Sequence, residues 1–167
     1  MEHNVSNASG VQILLGVSIS VFIALVLTVV QLPAFLFYFW PDWIAIVVSY
    51  WAFRTPNQVG PLVAFIIGML LEVLFVRKFG VLGFGLATLA FLVNSASQQL
   101  RALSIWQQMI SIGFFIVLFK LLTGWLLGMV ADFTITSEYW YSMPGSVLIW
   151  PFATILLEEL RRALRIR

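Results

Sequence analysis

Few side chains in this sequence could do chemistry, and they lie far apart. The only histidine is His3, close to the amino terminus, and there is no cysteine. Ser–His–Asp catalysis, histidine proton relays and thiolate metal sites therefore have no residues to work with. No phosphate-cradling Gly-rich loop, Gly-x-Ser-x-Gly elbow or His-Glu-x-x-His pair is present. The residues predict no catalytic site, no metal and no cofactor. Two charged residues stand out by their surroundings. Glu72 interrupts an apolar run from Gly60 to Val76, and Lys120 interrupts another from Ile105 to Val130. A charge in hydrocarbon costs about 2.5–3.5 kcal/mol even on the gentlest scales. Each must find a partner, lose its charge or stay wet.

The composition explains why such residues are conspicuous. The chain has 167 residues, 62% hydrophobic and 10% charged. Soluble domains carry about 25% charged residues. The length accommodates about six membrane helices of roughly 20 residues each and little else. This is an all-α polytopic membrane protein. The net charge of +2 argues against nucleic acid as a partner. Residues 1–10 form a polar tail without the basic region of a signal peptide. Residues 11–157 form the membrane domain and 158–167 a basic tail.

The spans are expected at Val11–Gln31, Trp43–Phe53, Gly60–Val76, Gly80–Gln99, Ile105–Val130 and Val147–Leu157. Pro41 and Asp42 suit the start of the second, because Asp caps free amides. That second segment is short. A helix of this length rises about 16 Å against roughly 30 Å of hydrocarbon. It either begins earlier, in the aromatic run Phe35–Trp40, or is re-entrant. With six spans, Arg54, Arg101, Arg161, Arg162, Arg165 and Arg167 share one side, and only Arg77 and Lys78 lie opposite. Basic loops stay cytoplasmic, so both termini are expected inside.

In this arrangement Glu72 and Lys120 lie roughly 18 and 23 Å from the inner face on spans running the same way. They can pair. Alternatively, Lys120 snorkels, and Glu72 is a neutral carboxyl hydrogen-bonded to backbone or to Asn94. Asn94, Ser95, Gln98 and Gln99 suggest interhelical hydrogen bonds. Small residues repeat at four-residue spacing in Gly60, Ala64 and Gly68, in Gly83 and Ala87, and in Gly124 and Gly128. Such stripes pack helices closely or receive a partner's helix. Gly124–Gly128, beside Trp125, is the best external candidate. Pro151, after Trp150, predicts a kink. Glu158 and Glu159 can pair with Arg162 in an amphipathic tail.

The ordered set Pro41-Asp42-Trp43, Tyr50-Trp51, Pro56, Val59, Gly68, an acid at 72 and Gly80 resembles the MreD family. Leu103–Gln108 and Leu148–Pro151 are similar to words in MreD sequences of gammaproteobacterial type. In that family the acid is usually Asp. The resemblance implies a non-enzymatic, multi-pass protein of the bacterial inner membrane, acting in cell elongation. It implies partnership with MreC, the MreB cytoskeleton and the RodA–penicillin-binding-protein synthase. It also implies a fold like the S-components of energy-coupling-factor transporters. A small-molecule-binding subunit of that type is the competing class. It needs a polar pocket near the outer surface, and no dense polar cluster is visible there in the sequence. The external loops Phe35–Trp40 and Glu138–Tyr141 and the membrane lipids are the other expected contacts.

Overall fold

The computed structural model describes residues 2–30, 40–75, 80–131 and 137–164. Among these residues all regular structure is helical: α1 Glu2–Val29, α2 Trp43–Arg54, α3 Pro61–Leu74, α4 Val81–Ala102, α5 Ile105–Ala131 and α6 Ser142–Ala163, with a short 3-10 turn at Ser137–Trp140 before α6. The expectations for Phe35–Phe39, for Arg77 and Lys78, and for Arg165 and Arg167 fall outside the described residues.

Four stretches are long and apolar enough to cross a membrane: Gly10–Val29, Val81–Ala102, Ile105–Val130 and Ser142–Ala163. Trp43–Arg54 and Pro61–Leu74 are shorter apolar helices. Two boundaries differ from the sequence reading. Helix α1 begins at Glu2, so the polar residues that precede its apolar stretch Gly10–Val29 are also helical. Helix α6 starts before Val147 and runs past Leu157 to Ala163. Pro144 falls in its first turn, where its missing amide costs nothing. Ion pairs Glu158–Arg161 and Glu159–Arg162, each three residues apart, carry it onward. The helix also passes through Pro151 without a break.

Helix α2 is the axis of the bundle. Every residue from Ile44 to Phe53 is buried. It packs against α1, α4 and α6, and α4 in turn packs against α3 and α5. Helices α4, α5, α6 and α2 close a ring, with α3 laid on α4 and α1 on α2 and α6. This resolves the short second segment. It does not begin earlier, because Asp42 caps it by accepting from the Ala45 amide at 3.3 Å. Nor does it double back. The Asp42 amide donates to Ser146 Oγ at 2.8 Å near the start of α6, and Arg54 lies 3.3 Å from Glu158 near its end. Helix α2 therefore runs parallel to α6 through the bundle.

Candidate functional site

Chemistry-bearing side chains gather at the two ends of α2, and an apolar groove runs between them. At the amino-terminal end of α2 the first feature is Glu72, which is fully buried. Its partner is the amino terminus of α4. Oε2 accepts from the Gly80 amide at 2.6 Å, and Oε1 accepts from the amides of Leu82 and, at 3.2 Å, Gly83. A helix start presents unpaired N–H groups and partial positive charge, so one carboxylate answers three donors. Two glycines make this reach possible. Gly80 sits at φ +89°, a left-handed conformation open to glycine, as the residue before α4. Gly68 lets α3 lie directly on α4, since a methyl group there would stand 2.7 Å from the Gly83 amide nitrogen.

The pairing of Glu72 with Lys120 is therefore not what the fold uses. Lys120, its side chain 8% exposed, stands 3.8 Å from Asp42 Oδ2 on the cap of α2. It also donates to the Tyr139 carbonyl at 3.3 Å and lies 4.6 Å from the centre of the Tyr139 ring. Tyr139 Oη in turn donates to the Lys120 carbonyl at 2.9 Å and shares a 2.6 Å hydrogen bond with Thr123. The two charges are still neighbours: Glu72, Lys120, Asp42 and Tyr139 border one cavity of about 120 Å³. A second cavity of about 350 Å³ adjoins it, lined by Asp42, Lys120 and Tyr139 with Thr28, Trp40 and Tyr141. A dense polar cluster thus exists where the sequence reading saw none. Its members come from α1, the cap of α2, α3, α5 and the turn before α6, so no local spacing announces it.

The opposite end carries an ionic cluster. Glu158 accepts from Tyr50 Oη at 2.9 Å and from Arg161 at 2.8 Å, with Arg54 at 3.3 Å. Its partner is Arg161, not the expected Arg162, which pairs with Glu159 on the exposed side. Arg101 donates to the carbonyls of Phe53 and Arg54 at 3.3 and 3.1 Å, capping α2 from the end of α4. Asn94, offered above as a partner for Glu72, instead donates to the carbonyls of Pro56 and Val59 at 3.3 and 3.4 Å. It holds the turn between α2 and α3. The residues carrying the family resemblance fall on such joints. Pro41 and Asp42 start α2, Trp51 donates to Ser20 Oγ at 2.8 Å on α1, Pro56 receives Asn94 and Gly80 starts α4.

The small-residue stripes divide. Ala64, Gly68 and Gly83 lie in the α3–α4 contact, while a methyl group on Gly60 would meet open space. Ala87 is half-buried. Gly124 is buried and Gly128 exposed, so they form no continuous outer face, although Trp125 is 61% exposed. Two close contacts escaped the sequence reading. Gly85 meets Thr123 and Phe119 on α5, and Gly113 meets Val147 on α6. Gly83 and Gly85 stand about 200° apart around α4, so each serves a different neighbour. Trp150 is buried in the core.

Between the two ends, α1 and α6 stand apart over α2 and leave an apolar groove of about 460 Å³. Trp43, Ile46 and Val47 form its floor, Ile23 and Leu27 one wall and Leu156 and Leu160 the other. The Trp43 Nε1–H at this floor is buried and has no hydrogen-bond partner among the described residues.

Comparison with known proteins gives this architecture its context. The family described as rod shape-determining protein MreD matches residues 9–160. The rod shape-determining protein MreD of Haemophilus influenzae is 26% identical over 131 residues, covering 75% of this chain and 78% of that protein. No solved structure matches the chain. The family match reaches from Ser9 in α1 to Leu160 near the end of α6, and so takes in both ends of α2 and all their described partners except Arg161. The chain belongs to the MreD family of non-enzymatic, multi-pass rod shape-determining membrane proteins.

Proposed function

We propose that this chain is an inner-membrane scaffold and regulator of the cell-elongation complex, and that it holds the single membrane helix of MreC in the groove between α1, α2 and α6. The observation carrying this reading is the groove itself. Where α1 and α6 part, Trp43, Ile46 and Val47 of the central helix α2 floor an apolar cleft walled by Ile23 and Leu27 on one side and Leu156 and Leu160 on the other. One apolar helix laid there would fill the groove and cover the exposed Ile23 and Leu156 of its walls. In a bilayer such association is driven by close packing, since lipid tails are as apolar as the side chains they replace. This choice supersedes the Gly124–Gly128 face, which the burial of Gly124 divides. The RodA–penicillin-binding-protein synthase and MreB are reached directly or through MreC. The words around Trp106 and Trp150 favour the gammaproteobacterial type within the family.

The gathering of Arg54, Arg101, Arg161 and Arg162 at one end of the bundle supports a cytoplasmic position for that end and for both termini. Site-directed crosslinking tests the groove. Single cysteines at Ile23 and Leu156 are expected to capture MreC in cells, and one at Trp125 is not. Capture from Trp125 alone, or from none of the three, refutes the assignment. The polar cavity beside Lys120 favours a second reading, a ligand-binding subunit of energy-coupling-factor type. Co-purification of an ATPase module in place of MreC would establish that reading over the scaffold.

A further inference from the structure

We infer that the cavity at the amino-terminal end of α2 is a binding site for a small zwitterion, a group carrying an ammonium and a phosphate or carboxylate a few ångströms apart. The site is independent of the groove and goes beyond the scaffold reading.

Two opposite charges border the same space, and both have bonding capacity left. Lys120, with its side chain 8% exposed, has three N–H donors but one hydrogen bond among the described residues, to the Tyr139 carbonyl at 3.3 Å. Its separation from Asp42 Oδ2, 3.8 Å, is an ion pair but too long for a hydrogen bond. Asp42 uses Oδ1 to cap α2, through the Ala45 amide, and among the described residues has only the distant Lys120 at Oδ2. Both residues line the 350 Å³ and the 120 Å³ cavities. Ligand pockets for small molecules begin at about 300 Å³.

The charge pattern selects the ligand. A simple anion drawn to Lys120 would face Asp42, and a simple cation drawn to Asp42 would face Lys120. A zwitterion satisfies both, with its ammonium on Asp42 Oδ2 and its anionic group on Lys120. The rings of Trp40, Tyr139 and Tyr141 wall the larger cavity, and aromatic faces stabilise an ammonium. Glu72 does not compete for that ammonium, because the first amides of α4 occupy both its oxygens. The same chemistry occurs as the ethanolamine phosphate headgroup of a lipid and as a free amino-alkyl phosphate.

The test uses the full chain in detergent, with phosphoethanolamine as the free probe and phosphatidylethanolamine as the lipid probe. Thermal stabilisation is read for the first, and adduct retention in native mass spectrometry for the second. Asp42→Asn removes the charge but keeps a competent helix cap. Thr28→Trp fills the cavity while leaving both charges. A charge-assisted hydrogen bond is worth at least about tenfold in affinity, so Asp42→Asn is expected to weaken binding by that factor or more. Thr28→Trp is expected to abolish it. Stabilisation by the free probe without lipid retention assigns the site to a soluble zwitterion, and retention of phosphatidylethanolamine over phosphatidylglycerol assigns it to lipid. Binding of neither probe overturns the inference. So does binding unchanged in both variants, or equal stabilisation by inorganic phosphate.

Discussion

Glu72 is the residue whose removal should cost most for its size, and the structure says why. Replacing it with alanine leaves the amides of Gly80, Leu82 and Gly83 without their acceptor, the last in a buried position and the first two half-buried. A buried donor left unpaired costs about 1–3 kcal/mol, and the two half-buried amides cost less each because water can reach them. The neighbouring cavity of about 120 Å³ is large enough for water to answer part of the loss. The expected cost is therefore about 3–5 kcal/mol, a large share of a typical stability of about 5–15 kcal/mol. Glu72→Gln keeps one acceptor but turns an amide NH2 toward the remaining donors, so it should fall between alanine and wild type. Reversible unfolding in mixed micelles gives these values. The same measurement on Lys120→Met and on the double mutant separates the helix-start partner from the lysine. Breaking a buried ion pair costs about 3–5 kcal/mol and shows up as coupling of similar size. Coupling below about 1 kcal/mol is expected here. A cost for Glu72→Ala under about 1 kcal/mol, or coupling with Lys120 near 3 kcal/mol, would refute the assignment.

The joints around Glu72 and α2 can be perturbed separately. Gly80→Ala should cost about 1–2 kcal/mol in the same unfolding assay, because its φ of +89° is disfavoured for residues with a Cβ while open space surrounds the new methyl group. Gly68→Ala should cost about 1–3 kcal/mol by forcing α3 off Gly83, whereas Gly60→Ala should be nearly neutral despite belonging to the same stripe. At the other end, Glu158→Ala should cost about 1–3 kcal/mol by stranding the buried Tyr50 hydroxyl, and Glu159→Ala no more than about 0.5 kcal/mol, since its pair with Arg162 is exposed. Single cysteines at His3 and Ser137 should react with impermeant maleimide from opposite sides of the membrane. Labelling from one side would exclude the arrangement with both termini inside.

The sequence made the membrane class, the helices and the isolation of Glu72 legible, because each leaves a local mark. An apolar run of membrane length, a Pro-Asp start and an acid without neighbours can all be read along the chain. Backbone was one of the partners offered for Glu72, but which backbone could not be read that way. Three backbone amides carry no residue signature, and only the short step from Phe75 to Gly80 hints that the next helix starts within reach. The Asp42–Lys120–Tyr139 cluster was hidden for a different reason. Its members are separated by most of the chain, and Asp42 had already been explained as a cap. The cap and the ion pair use different oxygens of the same carboxylate. The stripe reading partly failed because four-residue spacing marks a face without saying which neighbour covers it. Gly85 and Gly113, with no small partner four residues away in the assigned stripes, proved to be close contact points, Gly85 as close as Gly68.

The length of α2 ties these observations together. Twelve residues rise about 18 Å, about 12 Å short of the hydrocarbon thickness. If α2 is centred, each end stops about 6 Å inside the apolar layer. Backbone polar groups at such a depth need protein partners, since lipid supplies none. The polar residues at both ends meet this requirement. Asp42 caps the amino-terminal amides, Ser146 receives the Asp42 amide, and Lys120 balances the carboxylate. Arg101 caps the carbonyls of Phe53 and Arg54, and Thr55 donates its hydroxyl to the Trp51 carbonyl at 2.9 Å. Among the described residues, charges are thus concentrated where the shortest, most buried helix ends. A longer α2 would place its ends in the headgroup region, where water could replace these partners. The pairing of a recessed helix with buried charge also leaves polar cavities at the Asp42 end, and those cavities make that end a binding site as well as a joint.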